Sequence, residues 1–149
     1  MSLDAADRRD PLVASRAAAC IAKFGAAGEG RAWLRPFWDR LGDCTEDERA
    51  AVADGLVACM EGLTPDWLAR LEAAAQAHPR EPAIAYAVGF ALAERGLWGK
   101  ARLLLEQAAS ASELDAASRR RAWLLLARLA EQQSDEERAA DCYRSAAHL

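Results

Sequence analysis

Histidines and cysteines are the residues of this sequence that could hold a metal or carry out catalysis. His78 precedes a proline in a predicted turn and His148 lies at the far end of the chain, so no spacing pairs them as metal ligands or as acid and base. The four cysteines, at positions 20, 44, 59 and 142, form no CxxC pair and have no histidine at ligand spacing. We interpret them as reduced thiols in a reducing compartment.

Two glycine-containing segments resemble nucleotide-binding loops only superficially. The segment 25–30 reads G-x-x-G-x-G, which differs from the dinucleotide fingerprint, and no predicted strand precedes it. Gly99 and Lys100 lack the upstream glycine and the following Ser or Thr of a phosphate loop. The acidic run 135–137 falls at a predicted helix start, where the helix dipole explains it. The sequence therefore predicts a protein that is not an enzyme and that has no catalytic residues, cofactor or metal.

The composition predicts a soluble, all-helical chain. Of 149 residues, 52% are hydrophobic and 28% charged, and alanine, leucine, arginine and glutamate dominate over β-branched residues. The net charge of -4 disfavours non-specific binding of nucleic acid. The run Arg119–Arg121 is a local exception, either a solvated helix start or a contact for an acidic partner. Residues 1–3 read as a leader, and no apolar run approaches the ~20 residues that a membrane span needs.

A 34-residue repeat is the main structural signal. Gly28, Gly62 and Gly96 are spaced by 34 residues, and small residues recur at fixed offsets from them. The next interval stretches to 38, and the first unit is degenerate. This pattern is typical of a tetratricopeptide-like solenoid, a right-handed superhelix of antiparallel helix pairs. The predicted units are 14–47, 48–81, 82–115 and 120–149 within a single domain, 4–149, and the further repeat positions are Gly55, Gly89, Ala101, Ala108, Trp123 and Ala139.

Eight helices fit this pattern, with Gly55 and Gly89 predicted to let the partner helix of each pair approach closely. Capping boxes are predicted at Thr45 and at Ser134, and Gly62 and Gly96 suit the left-handed residue after a helix. Pro36 predicts a kink or a late helix start. The predicted spans are 12–27, 30–41, 46–61, 65–77, 82–95, 97–110, 116–133 and 135–147.

The first helix of each pair would line a concave wall, apolar at its centre and charged at its ends. Such a groove suits a protein or peptide partner, although a further segment of the same polypeptide could equally fill it. The residues predicted to face the partner are Val52, Leu56, Met60, Tyr86, Phe90, Arg121 and Arg128. Apolar faces on the terminal helices could also pair two copies as a dimer.

The segment Leu97-Trp98-Gly99-Lys100-Ala101-Arg102, with His78-Pro79 and Gly89 before it, resembles the carboxy-terminal region of the HemY family of proteobacterial membrane proteins. The resemblance implies a larger parent with two amino-terminal membrane helices, anchored at the cytoplasmic face of the inner membrane. It also implies a tetratricopeptide region associated with haem and porphyrin biosynthesis. We therefore expect a scaffold whose partners include haem-synthesis enzymes. The alternative is a tetrapyrrole carrier or sensor with a cysteine or His78 as axial ligand.

Overall fold

A computed structural model describes residues 9–149, and within that range the chain is all-helical with no strand. Five of the eight helices lie within one or two residues of their predicted spans, while the first three end three or four residues early. The suggested leader, residues 1–3, lies outside the described part. The helices are α1 (Pro11–Lys23), α2 (Ala27–Trp38), α3 (Glu46–Val57), α4 (Pro65–Ala77), α5 (Pro82–Glu94), α6 (Trp98–Ser110), α7 (Ala116–Gln132) and α8 (Glu136–Ala147).

Side-chain caps fix the starts of several helices. The Thr45 hydroxyl accepts from the Glu48 amide at 3.2 Å while the Glu48 carboxylate accepts from the Thr45 amide at 2.9 Å, which confirms the predicted capping box. Asp115 caps α7 and Asp135 caps α8, each by accepting from a backbone amide of the first turn. The capping box predicted at Ser134 is wrong, because its neighbour Asp135 accepts from the α8 amide.

The chain divides into two compact units, the first ending at His78 and the second beginning at Pro79. In the first unit, α1 packs against both α2 and α3. Gly55 of α3 faces Ser15 of α1, with Ser15 atoms 3.1 Å from where a Cβ would lie. The prediction that Gly55 receives its own pair partner, α4, is therefore wrong: the close approach is to α1.

In the second unit, successive helices pack in order, α5 on α6, α6 on α7 and α7 on α8, and α5 also contacts α7. Gly89 faces Leu104 and Leu105 of α6, with the Leu105 Cγ 3.0 Å from where a Cβ would lie. This confirms the predicted close contact within the pair. Ala101, Ala108 and Ala139 are buried, whereas Trp123 is half-buried. This arrangement is that of two antiparallel helix pairs stacked side by side.

A recurrent left-handed residue ends the first helix of three pairs, but its register differs from the predicted one. Gly25, Gly96 and Ser134 have positive φ, and each lies in a turn whose following amide reaches back five residues, as Leu97 does to the Leu92 carbonyl at 2.8 Å. Gly28 instead lies inside α2, so Gly25 is the counterpart of Gly96 in the first pair. Gly62 is left-handed as predicted, at φ 71°, but it lies in the loop beyond α3.

Two further features of the first unit differ from prediction. α2 begins early and continues through Pro36 to Trp38, so the late start is wrong. Gly30 and Arg31 of α2 are buried, the former against Cys59 and Ala18. The Arg31 guanidinium donates to the carbonyls of Cys59, Glu61 and Gly62 beyond the end of α3. The guanidinium thereby supplies hydrogen-bond donors to backbone carbonyls for which the helix offers no amide donor.

Candidate functional site

The predicted partner-binding wall of the first unit is not accessible. Val52, Leu56 and Met60 are buried. Val52 and Leu56 share one face of α3 with Gly55, and that face packs on α1. The prediction that these three side chains bind a partner is therefore wrong in this structure, because they form core.

The predicted wall of α5 is also largely interior. Tyr86 is only 3% exposed, while Phe90, one turn later, is half-exposed. The two rings meet edge to face, with centroids 6.1 Å apart. Tyr86 therefore acts as core rather than as a contact for a partner, and Phe90 alone reaches the surface.

On α7 the predicted wall residues do lie at the surface. Arg121 and Arg128 are exposed, and Leu124 between them is 39% exposed. Their spacing of three and four residues places the three side chains on one face of the helix. We call this the α7 stripe. It is the part of the predicted binding wall that the structure leaves open.

The other arginines of the run 119–121 are used inside the second unit. Arg119 donates to the Ala109 carbonyl at 3.2 Å, and Arg120 donates to the carbonyls of Ala146 and Leu149. The three arginines are therefore not equivalent, since only Arg121 lacks a hydrogen bond or ion pair within the described chain. The sequence could not distinguish them, because the distinction depends on where α6 and α8 end.

Tyr143 of α8 lies next to the α7 stripe. Its hydroxyl donates to the Glu131 carboxylate at 2.7 Å, and this hydrogen bond, with the negative charge behind it, raises the pKa of Tyr143. Its side chain is 41% exposed, while the neighbouring Cys142 is buried. The structure thus adds an aromatic side chain to this surface.

The cysteines and His78 occupy separate positions. Cys59 and Cys142 are buried, Cys20 and Cys44 are half-buried, and all four are free thiols. Burial raises the pKa of Cys59 and of Cys142. Among residues 9–149, no three or more His, Cys, Asp or Glu side chains are grouped to hold a metal ion.

Shallow cavities open on each of the two units. In the first unit, one of about 380 Å³ is lined by Trp38, Arg70 and His78, and another of about 520 Å³ by Phe37, Arg40 and Cys44. In the second unit, a cavity of about 460 Å³ surrounds the ion pair between Arg138 and Glu106 and reaches Trp123 and Cys142. Each of these cavities is lined by both acidic and basic side chains.

Comparison with protein-family models, with curated proteins and with solved structures finds no match to this chain. Over the described range, no helix has both the length and the apolar character that crossing a bilayer would require.

Proposed function

We propose that this chain is a non-enzymatic helical-repeat scaffold that binds a protein partner. The observation that carries the proposal is the α7 stripe, where Leu124 is held at the surface between Arg121 and Arg128. Arginine is among the side chains that most often carry binding energy at protein interfaces, and covering the exposed Leu124 side chain adds buried apolar area. The stacked helix pairs of the second unit supply a rigid support for such a contact.

The proposal includes the biological context that the sequence suggests. The string Trp98 to Arg102, at the start of α6, resembles the HemY family. We infer from it a membrane-anchored parent at the inner membrane and a partner among the enzymes of haem synthesis. The right-handed superhelix of tetratricopeptide units and the dimer through terminal helices belong to the same proposal. The order in which α5 to α8 pack supports only the stacking of helix pairs.

Site-specific photocrosslinking tests the proposal directly. A photoreactive amino acid at position 124 of the intact parent protein, in its own cells, should crosslink to a defined partner protein. The matched control is position 103 of α6, where Leu103 is 64% exposed outside the α7 stripe. Identical products from both positions, or none from position 124, would contradict a binding role for α7.

Tetrapyrrole binding is the competing function, and it makes a different prediction. His78 lines the cavity of about 380 Å³ beside Trp38 and Arg70, so it is the histidine to test. If the chain is a scaffold, titration with haemin should produce no stoichiometric Soret shift. A shift at one equivalent that disappears in His78→Ala would replace the scaffold proposal with a carrier or sensor.

A further inference from the structure

We propose that the α7 stripe, with Tyr143 beside it, binds an acidic amphipathic segment of a partner protein. The inference deepens the scaffold proposal and rests on it. It specifies the chemistry of the partner: carboxylate side chains that flank a large apolar residue.

α7 is basic in a chain that is acidic as a whole. α7 carries four arginines and one glutamate, although the chain as a whole has a net charge of -4. Arg119 and Arg120 donate to backbone carbonyls. Arg121 and Arg128 make no ion pair or hydrogen bond with any described residue, although the Arg128 charge lies close enough to Tyr143 to act against the rise in its pKa. An exposed cation without a carboxylate partner can accept one from another molecule with little rearrangement.

Arg121, Leu124 and Arg128 are spaced along one face of α7. Arg121 and Arg128 are seven residues apart, which corresponds to two helical turns and about 10 Å along the axis. Leu124 lies between them at 39% exposure. A ligand with two acidic residues about 10 Å apart and an apolar residue between them would therefore match both arginines and cover Leu124.

The surroundings define one end of the site. The Glu131 carboxylate lies one turn beyond Arg128 and accepts from the Tyr143 hydroxyl at 2.7 Å. This acidic group would repel a ligand carboxylate placed past Arg128, so it sets the register of the segment. The Tyr143 ring, 41% exposed, adds apolar surface next to Arg128.

Nucleic acid and membrane surface are less suited to this site than an acidic protein segment. Both present dense negative charge and are attracted by broad basic patches. The α7 stripe instead has two arginines with a leucine between them, and Glu131 lies one turn beyond it. The alternation of charge and apolar surface matches an amphipathic helix or peptide, with charged and apolar residues on one face.

Selection of random 16-residue peptides displayed on phage, against the full chain, tests the inference without knowledge of the partner. We expect the enriched peptides to contain Asp or Glu on both sides of a Leu, Ile, Met or Phe residue. Synthetic versions should bind Arg121→Glu/Arg128→Glu at least tenfold more weakly, since two attractions become repulsions. Affinity should also fall as salt is raised from 50 to 500 mM.

Arg16→Glu/Arg102→Glu is the matched control, because it makes the same charge change at exposed helical positions on α1 and α6. It should leave peptide affinity within about twofold, apart from the general effect of net charge. Circular dichroism melts of both variants should match the parent, because all four arginines are exposed. If Arg121→Glu/Arg128→Glu melts at a lower temperature than the parent, Arg121→Gln/Arg128→Gln is used in its place. For that variant, a loss of at least fivefold in peptide affinity is expected.

Other outcomes would overturn the inference in distinguishable ways. Enriched peptides that are basic, or whose binding is unaffected by Arg121→Glu/Arg128→Glu, would reject this site while leaving a scaffold role intact. Failure to enrich any peptide would count against both proposals. Co-sedimentation with vesicles containing phosphatidylserine, lost in Arg121→Glu/Arg128→Glu, together with no acidic peptide, would assign the site to a membrane surface instead.

Discussion

At the scale of single residues, the first unit is tightly packed where α2 meets α1 and the segment that follows α3. Gly30 lies where a Cβ would be 2.7 Å from the Cys59 sulfur and 2.9 Å from the Ala18 carbonyl oxygen. The Cys59 thiol itself donates to that carbonyl at 3.5 Å. Next to it, the buried Arg31 guanidinium donates to three carbonyls. A Cβ at Gly30 therefore has no space in this junction, and the three carbonyls all accept from one guanidinium.

Gly30→Ala should destabilise the protein even though alanine favours helix by about 1 kcal/mol. The new methyl group would overlap the backbone oxygen of Ala18, which cannot rotate away, so we expect a net loss of about 1–3 kcal/mol. Urea unfolding followed by circular dichroism measures it. The control is Gly99→Ala in the first turn of α6, where nothing lies within 4 Å and stability should be unchanged or higher.

Arg31→Met should lower the free energy of unfolding by about 3 kcal/mol. The substitution keeps most of the aliphatic volume but leaves the Cys59, Glu61 and Gly62 carbonyls without their donor. The same urea titration gives the value, with the exposed Arg35→Met on the same helix as control. An unchanged midpoint would mean that water satisfies these carbonyls equally well.

Stability should fall as the pH rises above about 8.5. Burial raises the thiol pKa of Cys59 and of Cys142 in the folded protein, so the unfolded chain releases these protons first and gains stability relative to the native state. Denaturation at pH 7.5 and 9.5 should therefore show a decrease, and it should be smaller in Cys59→Ala/Cys142→Ala. Cys20→Ala, which alters a half-buried thiol, should retain the full decrease.

At the scale of helices, the ends determine how each pair is formed. The first helix of three pairs stops at a left-handed residue, and the chain then reverses into the second helix. Glycine fills this position at Gly25 and Gly96 without strain, whereas Ser134 adopts φ 59° with a side chain present. The 38-residue interval after Gly96 leads to Ser134, so the repeat continues in structure where its glycine is absent from the sequence.

Ser134→Gly should stabilise the protein by about 1 kcal/mol, because glycine adopts the left-handed conformation without the steric penalty of a Cβ. The gain would appear as a higher melting temperature in thermal unfolding. Gly96→Ala is the reverse test and should destabilise by a similar amount, since Gly96 has φ 75° in the equivalent turn. The two substitutions should change stability in opposite directions. A change in the same direction would argue against equivalent turns at these positions.

At the scale of the whole molecule, the chain forms two compact units, each with its own buried residues. The second unit begins at Pro79 and contains two complete antiparallel pairs, so its core is formed between consecutive helices. Such local contacts favour independent folding of a helical unit. The binding surface that we propose lies entirely within this second unit.

A fragment of residues 79–149 should therefore be helical by circular dichroism and unfold cooperatively on heating. Its small size leaves a limited core, and we expect an unfolding free energy of only a few kcal/mol. The fragment should also bind the selected acidic peptides with an affinity within a few fold of the full chain. A disordered fragment would show that the second unit needs the rest of the chain to fold.

The sequence by itself determined the helices and much of the repeat. Periodic alanine and leucine and the Thr45 capping box act locally, so they indicate where α3 begins and where α4 to α8 lie without any tertiary information. The 34-residue spacing likewise identified Gly96 as a turn and Gly89 as a close contact with α6. These features depend on neighbours along the chain, and such neighbours are visible in the sequence.

Only the tertiary structure decided which faces are covered. The repeat pattern predicted that the side chains on the first helix of each pair would face a partner. Of these, Val52, Leu56 and Tyr86 are buried, whereas Arg121 and Arg128 are exposed. Repeat position defines the side of a helix, but exposure depends on which other helices reach that side. The same reason explains why Gly55 faces α1 and why Arg31 is buried: both depend on residues distant along the chain.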